Sequence, residues 1–568
     1  MFRTLRSLAI GGVVLGLSLA TVAAAGAQTT TTAAGTGTFT VQVSDAGVGK
    51  TPPGSGLGTK AALTNPKCNA ASVKGWGTFD FVAEGFGPFC VAPAPKNNGG
   101  ATAPGVTATS VKVAVMLPNA TQYAAGSSKP LNRATGASTG LYQDGFIDEW
   151  AAYANSNIEL WGRKVEFLFV TSSGDDEASQ KADAVKIVAE KPFAAIDSLP
   201  NGLPLLQTAL AAAKIVVFSN VGVVTKDTTA QAPYRWGLTD VQATALLTAE
   251  WAGKQLVTGK AQWAGDSATQ AKPRAFGAVY SNLLEIDPFL AKFKSYKGTL
   301  TTPALEYQAS GGTLGDATTA QQQAPTIIAK LKDAGVTSVF LFSDAAMDKA
   351  LTVQATAQDY HPEWLLTGFQ FADLGLLSRS YDQDQWGHAF GISGLGPFVK
   401  SSSVTPVFDW YWGPKAGTSS TYTSQGPKWL AYGLQYAGPK LTAKTFQQGF
   451  FATPARGLPA GYTAYGKTAG LPYDEYMSLG TGAQLAWYDP STVGTSQVRE
   501  AIAAGVTWYT DNAKSYSAGQ FPTKTAKFFD KTGSVYVLDT PVIPYGPTVA
   551  CTNCPSQGGT KSTQSHAG

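Results

Sequence analysis

Histidine is scarce in this chain: 568 residues carry only His361, His388 and His566, alongside four cysteines and four methionines. So few imidazoles leave little material for general-base chemistry, and no grouping of histidines with carboxylates at ligand spacing marks a metal centre. No cofactor is expected. Long runs of one charge are missing as well. The 42 basic residues against 38 acidic ones give a net charge of +4, without the Lys/Arg cluster that follows a phosphate backbone or an anionic bilayer, so nucleic acid is excluded as a partner. Beyond the N-terminus no stretch approaches the roughly 20 apolar residues of a spanning helix.

What the N-terminus does have is Arg3 and Arg6 ahead of an apolar run, Leu8 to Ala25, closed by the small residues Ala25-Gly26-Ala27. This is the pattern of a secretory signal peptide over residues 1–27. A retained membrane anchor is the weaker reading, because the run is short, Gly-interrupted and followed by a Thr-rich stretch. No Cys follows the run, so a lipid-anchored start is not supported. The mature chain, from Gln28, is expected to be extracytoplasmic (secreted, periplasmic or cell-envelope associated), without direct membrane insertion after signal cleavage. Export makes disulfides expected among Cys68, Cys90, Cys551 and Cys554, for which three pairings exist. Cys68 with Cys90 would staple a small loop, and Cys551 with Cys554 would close a very short one.

A hydrophobic content of 44% is enough to bury substantial cores. Residues 28–105, rich in Gly, Thr, Ala and Pro, read as an extension with one possible stapled patch. From Val111 the texture changes. Strands are predicted at Val111–Leu117, Val165–Val170, Phe193–Ile196 and Ile215–Phe218, separated by helices. The helix placed before Val165 turns Phe146, Ile147, Trp150, Ala151 and Ala154 to one face; the next two cover Ala178–Ala189, with Ala182, Val185 and Ala189 spaced for one face, and Leu203–Ala213. A second set follows Trp236: helix Ala243–Gln255, strand Ala275–Tyr280, helices Ile286–Tyr296 and Pro325–Ala334, strand Ser338–Phe342, helix Ala345–Gln358 and strand Trp364–Thr367. Strands alternating with helices imply two parallel sheets covered on both faces.

In open sheets of this kind ligands bind beyond the carboxyl ends of the strands, so the residues that follow each strand are the candidate contacts. They are Asn119, Leu199, Pro200, Asn201, Ser219, Asn220, Tyr280, Ser281, Asn282, Ser343, Asp344, Gln370 and Phe371. The set is polar and aromatic with little charge, as suits a pocket that hydrogen-bonds and stacks a small molecule. Each has a plainer role open to it. Asn or Ser after a strand often forms a turn or a helix cap, Asp344 is placed to cap the helix from Ala345, and Tyr280 and Phe371 are equally suited to a core.

The order of segments resembles the type I periplasmic-binding fold of leucine/isoleucine/valine-binding-like receptors that feed ABC importers, over roughly Gly105 to Pro544. The stretches that carry it are Gly105-Val-Thr-Ala-Thr-Ser-Val-Lys-Val-Ala-Val, Trp161-Gly-Arg-Lys-Val-Glu-Phe, Asp175-Asp176 before an Ala-spaced helix, Leu331-Lys-Asp-Ala-Gly-Val-Thr-Ser-Val-Phe-Leu-Phe, Tyr381-Asp-Gln-Asp-Gln-Trp-Gly-His-Ala-Phe-Gly-Ile and Phe529-Asp-Lys-Thr-Gly533. The resemblance implies two doubly wound parallel-sheet lobes joined by a three-strand hinge. Lobe 1 takes 106–238 and 393–518, lobe 2 takes 239–392 and 519–547, and a flexible tail covers 548–568. Crossings fall near Leu238, Gly391–Gly396 and Ala518–Pro522. It implies capture of a small molecule between the lobes for delivery to the membrane permease of an ABC importer, with no catalysis. Leu199-Pro200-Asn201-Gly202 matches the loop where amino-acid receptors of the family place serines on the ligand carboxylate; those serines are missing here, which puts an α-amino acid in doubt.

Two other classes compete. A secreted serine hydrolase has its token in Gly136-Ala-Ser138-Thr-Gly140, but Ser138 lies some twenty residues past the nearest strand instead of at its end. A phosphate-cradling reading of Ser44 to Thr51 lacks the first glycine. A cell-surface or glycan-interaction protein draws on the Gly/Thr-rich extension and 13 tryptophans, although most Trp residues in proteins are partly or wholly buried.

Overall fold

The computed structural model describes residues 36–38, 42–43, 51–57, 59, 62, 64–67, 91–117, 119, 154–155, 158–197, 203–219, 230–237, 241–309, 315–369, 373–399, 421–452, 456–457, 482–494, 502–539 and 566–567. The expected signal peptide, the helix placed around Phe146 to Ala151, Ser138 and all four cysteines lie outside the described residues.

Strands β1 (Thr36–Thr38) and β2 (Gln42–Val43) belong to the extension. The first α/β set follows as β3 (Ser110–Leu117), β4 (Lys164–Thr171), α1 (Glu177–Ala189), β5 (Ala194–Asp197), α2 (Pro204–Ala212), β6 (Val216–Ser219) and β7 (Arg235–Gly237). These strands lie side by side as β4-β3-β5-β6-β7, all parallel. Nearly every residue of β3, β5 and β6 is buried, the continuous apolar texture of a sheet covered on both faces.

The second set comprises α3 (Val241–Gln255), α4 (Ser267–Gln270), β8 (Phe276–Ser281), α5 (Ile286–Ser295), β9 (Leu305–Tyr307), α6 (Ala317–Asp333), β10 (Ser338–Phe342), α7 (Ala345–Ala357), β11 (Glu363–Thr367), α8 (Gly375–Ser378), α9 (Gln383–Trp386) and β12 (Ala389–Ser393). Its parallel order is β9-β8-β10-β11-β12. Numbered within each set, both sheets read 2-1-3-4-5, so one doubly wound topology occurs twice in the chain. Helix α6 starts eight residues before Pro325, because Asp316 caps it by accepting from Thr319 N, and the proline sits inside the helix.

After β12 come β13 (Phe398–Val399), α10 (Thr421–Tyr436), α11 (Ala443–Ala452), β14 (Arg456–Gly457), β15 (Gly482–Gly494), β16 (Ala503–Tyr509), β17 (Ser515–Ser517), β18 (Val537–Asp539) and β19 (His566–Ala567). Helices α10 and α11 join the first core, where Phe446 and Phe450 pack on Trp236 at ring distances of 5.6 and 5.1 Å. The rest of the 393–518 segment departs from the expected partition. Strand β15 runs antiparallel to β12, pairing Trp487 with Phe390, and β16 and β17 pair with β15, so 482–517 extends the second sheet. The return from the first core therefore lies between Ala452 and Gly482, not at Ala518–Pro522. That later segment is pinned to α3: Glu250 accepts from Gly519 N at 2.7 Å, while Lys254 Nζ donates to the Gly519 and Phe521 carbonyls at 3.2 and 3.0 Å.

Described parts of the extension also belong to the first body. Leu57 and Val91 are buried in its core, and Asn65 Nδ2 donates to Val91 O, Ala92 O and Glu159 Oε2. The Arg163 guanidinium, itself buried, donates to the carbonyls of Thr107, Asn98, Gly100 and Pro439 at 2.8 to 3.1 Å, which ties the extension to the end of α10.

Candidate functional site

At the carboxyl edge of the first sheet, β5 ends in Asp197 and β6 in Ser219, both buried. Asp197 Oδ2 accepts from Leu203 N and from Gln207 Nε2, each at 2.6 Å. Gln207 Nε2 also reaches Ser219 Oγ at 2.9 Å, and its Oε1 accepts from Arg235 Nη2 at 3.1 Å. Burial pulls the Arg235 guanidinium below its ordinary range, and Asp197 acts in the opposite sense. Ser219, a predicted contact, thus anchors α2 to the sheet. Asn119 Nδ2 donates to Ser172 O at 3.2 Å, linking the loops that follow β3 and β4. Leu199, Pro200, Asn201 and Asn220 lie outside the described residues.

At the corresponding edge of the second sheet, Tyr280 OH donates to Glu306 Oε2 at 3.0 Å, and burial with that carboxylate raises its phenol. Exposed Asn282 Oδ1 accepts from Ala309 N at 3.0 Å and its Nδ2 donates to Gln308 Oε1 at 3.2 Å, while buried Ser281 turns its hydroxyl to Leu283 N at 3.2 Å. Tyr280 and Asn282 thus join the ends of β8 and β9. Deeper in, Ser343 Oγ donates to Asp348 Oδ1, and Asp344 caps α7 by accepting from Met347 N at 2.9 Å. Gln370 and Phe371 lie outside the described residues.

The sequence reasoning missed a buried cluster beside these groups. Tyr307 OH donates to Asp344 Oδ2 at 2.7 Å, and fully buried Tyr381 feels the charges of Asp348, Asp373 and Asp344. Among the described residues Asp348 Oδ2 meets no hydrogen-bond donor, and at Asp373 the Ser393 hydroxyl offsets only part of the effect of burial. Burial pushes the Asp373 carboxyl up to about 6 and raises Asp344 and Asp348 as well. The only sequence signal was spacing: Asp348 sits one helical turn after Asp344 on the face of α7 that meets the strand ends.

The arrangement favours neutral hydrogen bonding over fixed charge. Two histidines stand at the other end of the second sheet, His361 just before β11 and His388 just before β12. Gln385 Nε2 donates to His361 Nδ1 at 3.1 Å, and His388 Nδ1 donates to Trp263 O at 2.8 Å. Among the described residues no group of three or more His, Cys, Asp or Glu side chains is placed to hold a metal ion, and no helix is long and apolar enough to cross a membrane.

No family model matches the chain, and no curated protein matches it. Among solved structures, the closed leucine-, isoleucine-, valine-, threonine- and alanine-binding protein of Brucella ovis is similar at 11% identity and a TM-score of 0.47, covering 73% of this chain and 98% of that one. A Rhodopseudomonas palustris ABC-transporter solute-binding protein in complex with 4-hydroxybenzoate aligns at 14% identity and a TM-score of 0.43, over 73% and 98% of the two chains. The fatty acid ABC transporter substrate-binding protein of Thermomonospora curvata aligns at 13% identity and a TM-score of 0.42, over 74% and 97%.

Proposed function

We propose that this chain is an extracytoplasmic solute-binding protein that takes a small molecule between its two α/β lobes and hands it, unchanged, to the permease of an ABC importer. The observation that carries the reading is the repeated 2-1-3-4-5 sheet within one chain that passes between the two cores after Gly237, after Ser393 and again before Gly482. Such a design presents two carboxyl edges, each lined by polar groups, to one ligand. Closure is a rotation about the crossing segments and is driven by contacts that exist only in the closed state. His361 and His388 stand at the amino end of the second sheet, away from the carboxyl edge where a general base would have to reach the reacting group, and the third histidine, His566, sits in β19 opposite Phe169 of β4. The ligand contacts we assign are Asn119, Leu199, Pro200, Asn201, Asn220, Tyr280, Asn282, Gln370 and Phe371, with Ser219, Ser281, Ser343 and Asp344 shaping the edges behind them. Micromolar affinity corresponds to about 8 kcal/mol, within reach of a few hydrogen bonds and one aromatic contact.

The test is a thermal-shift screen of the mature chain against amino acids, amides, short peptides, sugars, aromatic acids and sterol-like compounds. A ligand at 100 times its dissociation constant should add about 2.7 kcal/mol. Tyr280→Ala combined with Phe371→Ala should lower the affinity for a hit; unchanged affinity removes both from the site, and a library without hits rejects capture of these solutes.

A further inference from the structure

The extension reaches the segments that connect the two bodies. Strand β1 lies parallel to β18, with Thr36, Gly37 and Thr38 opposite Val537, Leu538 and Asp539. Strand β18 pairs on its other side with β13, Phe398 opposite Val537 and Val399 opposite Leu538. A few residues on, β2 runs antiparallel to β14, with Gln42 opposite Gly457 and Val43 opposite Arg456. The positions of these partners are informative. Strand β13 falls between β12 of the second sheet and α10 of the first core, and β14 falls between α11 of the first core and β15 of the second sheet. Both later crossings thus carry a short strand, and each is joined to the extension, one directly to β2 and one to β1 through β18.

The next part of the extension is fixed to the first body. Leu57 and Val91 are in its core, and Asn65 and Arg163 bond across the junction. The crossing before β13 has the features of a bend: Gly396 adopts a φ of 75°, and Leu395 N donates to Ser393 Oγ at 3.0 Å. Lobe rotation is absorbed by backbone torsions in such connecting segments. A strand hydrogen-bonded alongside them must move with them or lose its ladder, so its pairing energy enters the balance between open and closed forms.

We propose that strands β1 and β2, residues 36–38 and 42–43, form a strap that braces the hinge and sets its open-to-closed equilibrium. This rests on the two-lobe capture reading above, but its test needs no ligand. The mature chain is compared with a Gly37→Pro, Thr38→Pro, Val43→Pro variant, in which proline removes the amides and locks the torsions of both strap strands. Backbone hydrogen exchange at 398–399, 456–457 and 537–539 should quicken about tenfold or more, while α1 and α7 keep their protection. Spin labels at Lys186 and Lys349, one in each body, should show a shifted or broadened distance distribution. A second variant lacking residues 28–43 should reproduce both effects. Unchanged exchange at those strands would sink the pairing, and altered exchange with an unchanged inter-lobe distribution would sink the device. A wrong capture reading shows separately, as a ligand screen without hits while the strap readouts respond.

Discussion

The phenol of Tyr307 donates to Asp344 Oδ2 at 2.7 Å and accepts from the Asp344 amide at 2.9 Å, so the end of β9 is latched to the first turn of α7. Tyr307→Phe removes both bonds and leaves a buried carboxylate with fewer donors. The expected loss is about 1–3 kcal/mol of stability, read from urea unfolding at pH 7. A midpoint equal to that of the parent would show that the latch contributes nothing.

Gly315 presses on the same latch. Its φ is +79°, and a Cβ there would lie 1.9 Å from Asp344 Oδ1. Gly315→Ala should therefore cost about 2 kcal/mol or more through strain and a displaced cap, with a fall in melting temperature that Gly335→Ala, where the added carbon has open space, does not match in steric origin or size.

Asp373 predicts a pH dependence of definite sign. Its carboxyl sits near 6 in the folded chain against an ordinary value of 3.8, so the folded state holds the proton more tightly than the unfolded one. This group favours folding most below its unfolded value, and the benefit fades as pH rises from about 4 through 6, by at most about 3 kcal/mol. Asp373→Asn should raise stability at pH 7.5 and lose that advantage below pH 4. Denaturation midpoints across this range that shift equally for variant and parent would contradict the account.

The amino end of the second sheet offers a control that separates stability from binding. Arg274 meets Glu363 through two bonds, Nε to Oε2 at 2.7 Å and Nη2 to Oε1 at 2.9 Å, and both side chains are buried. Glu363→Gln should cost roughly 3–5 kcal/mol by leaving the guanidinium without its charge partner. Affinity for a solute, measured well below the melting temperature, should stay within a factor of about two, because the pair lies opposite the carboxyl edge.

The strand–helix rhythm of the two sheets was legible because β10 is buried along its whole length and β3 everywhere but at Ser110 and Lys112. The faces of helices were less so. The Ala182, Val185 and Ala189 stripe, spaced for one face of the helix, is exposed, Val185 at 71%. Helix α1 buries Gln180, Asp183, Ala184 and Ile187 instead. Gln180 Oε1 accepts from Leu205 N and Leu206 N, capping α2, and Asp183 accepts from Ser173 N and Oγ. Polar side chains that satisfy a neighbour's backbone escape a search for apolar periodicity. The sheet that β15 joins was equally hidden, since Phe390 and Trp487 meet across 97 positions of sequence and nothing local names a partner. The described candidate contacts fall at the carboxyl ends of strands, where the rule that chose them puts them, whereas Asp348, Asp373 and Tyr307 come to the second sheet's edge from a helix, a loop and a neighbouring strand.

The most direct measurement is recovery of a bound solute after incubation with the chain from Gln28 in excess ligand, with stoichiometry and mass determined together. Capture gives one molecule per chain, released on unfolding with its mass unchanged and with no product in the surrounding solution. Product accumulating beyond one equivalent per chain would contradict capture and make this protein an enzyme.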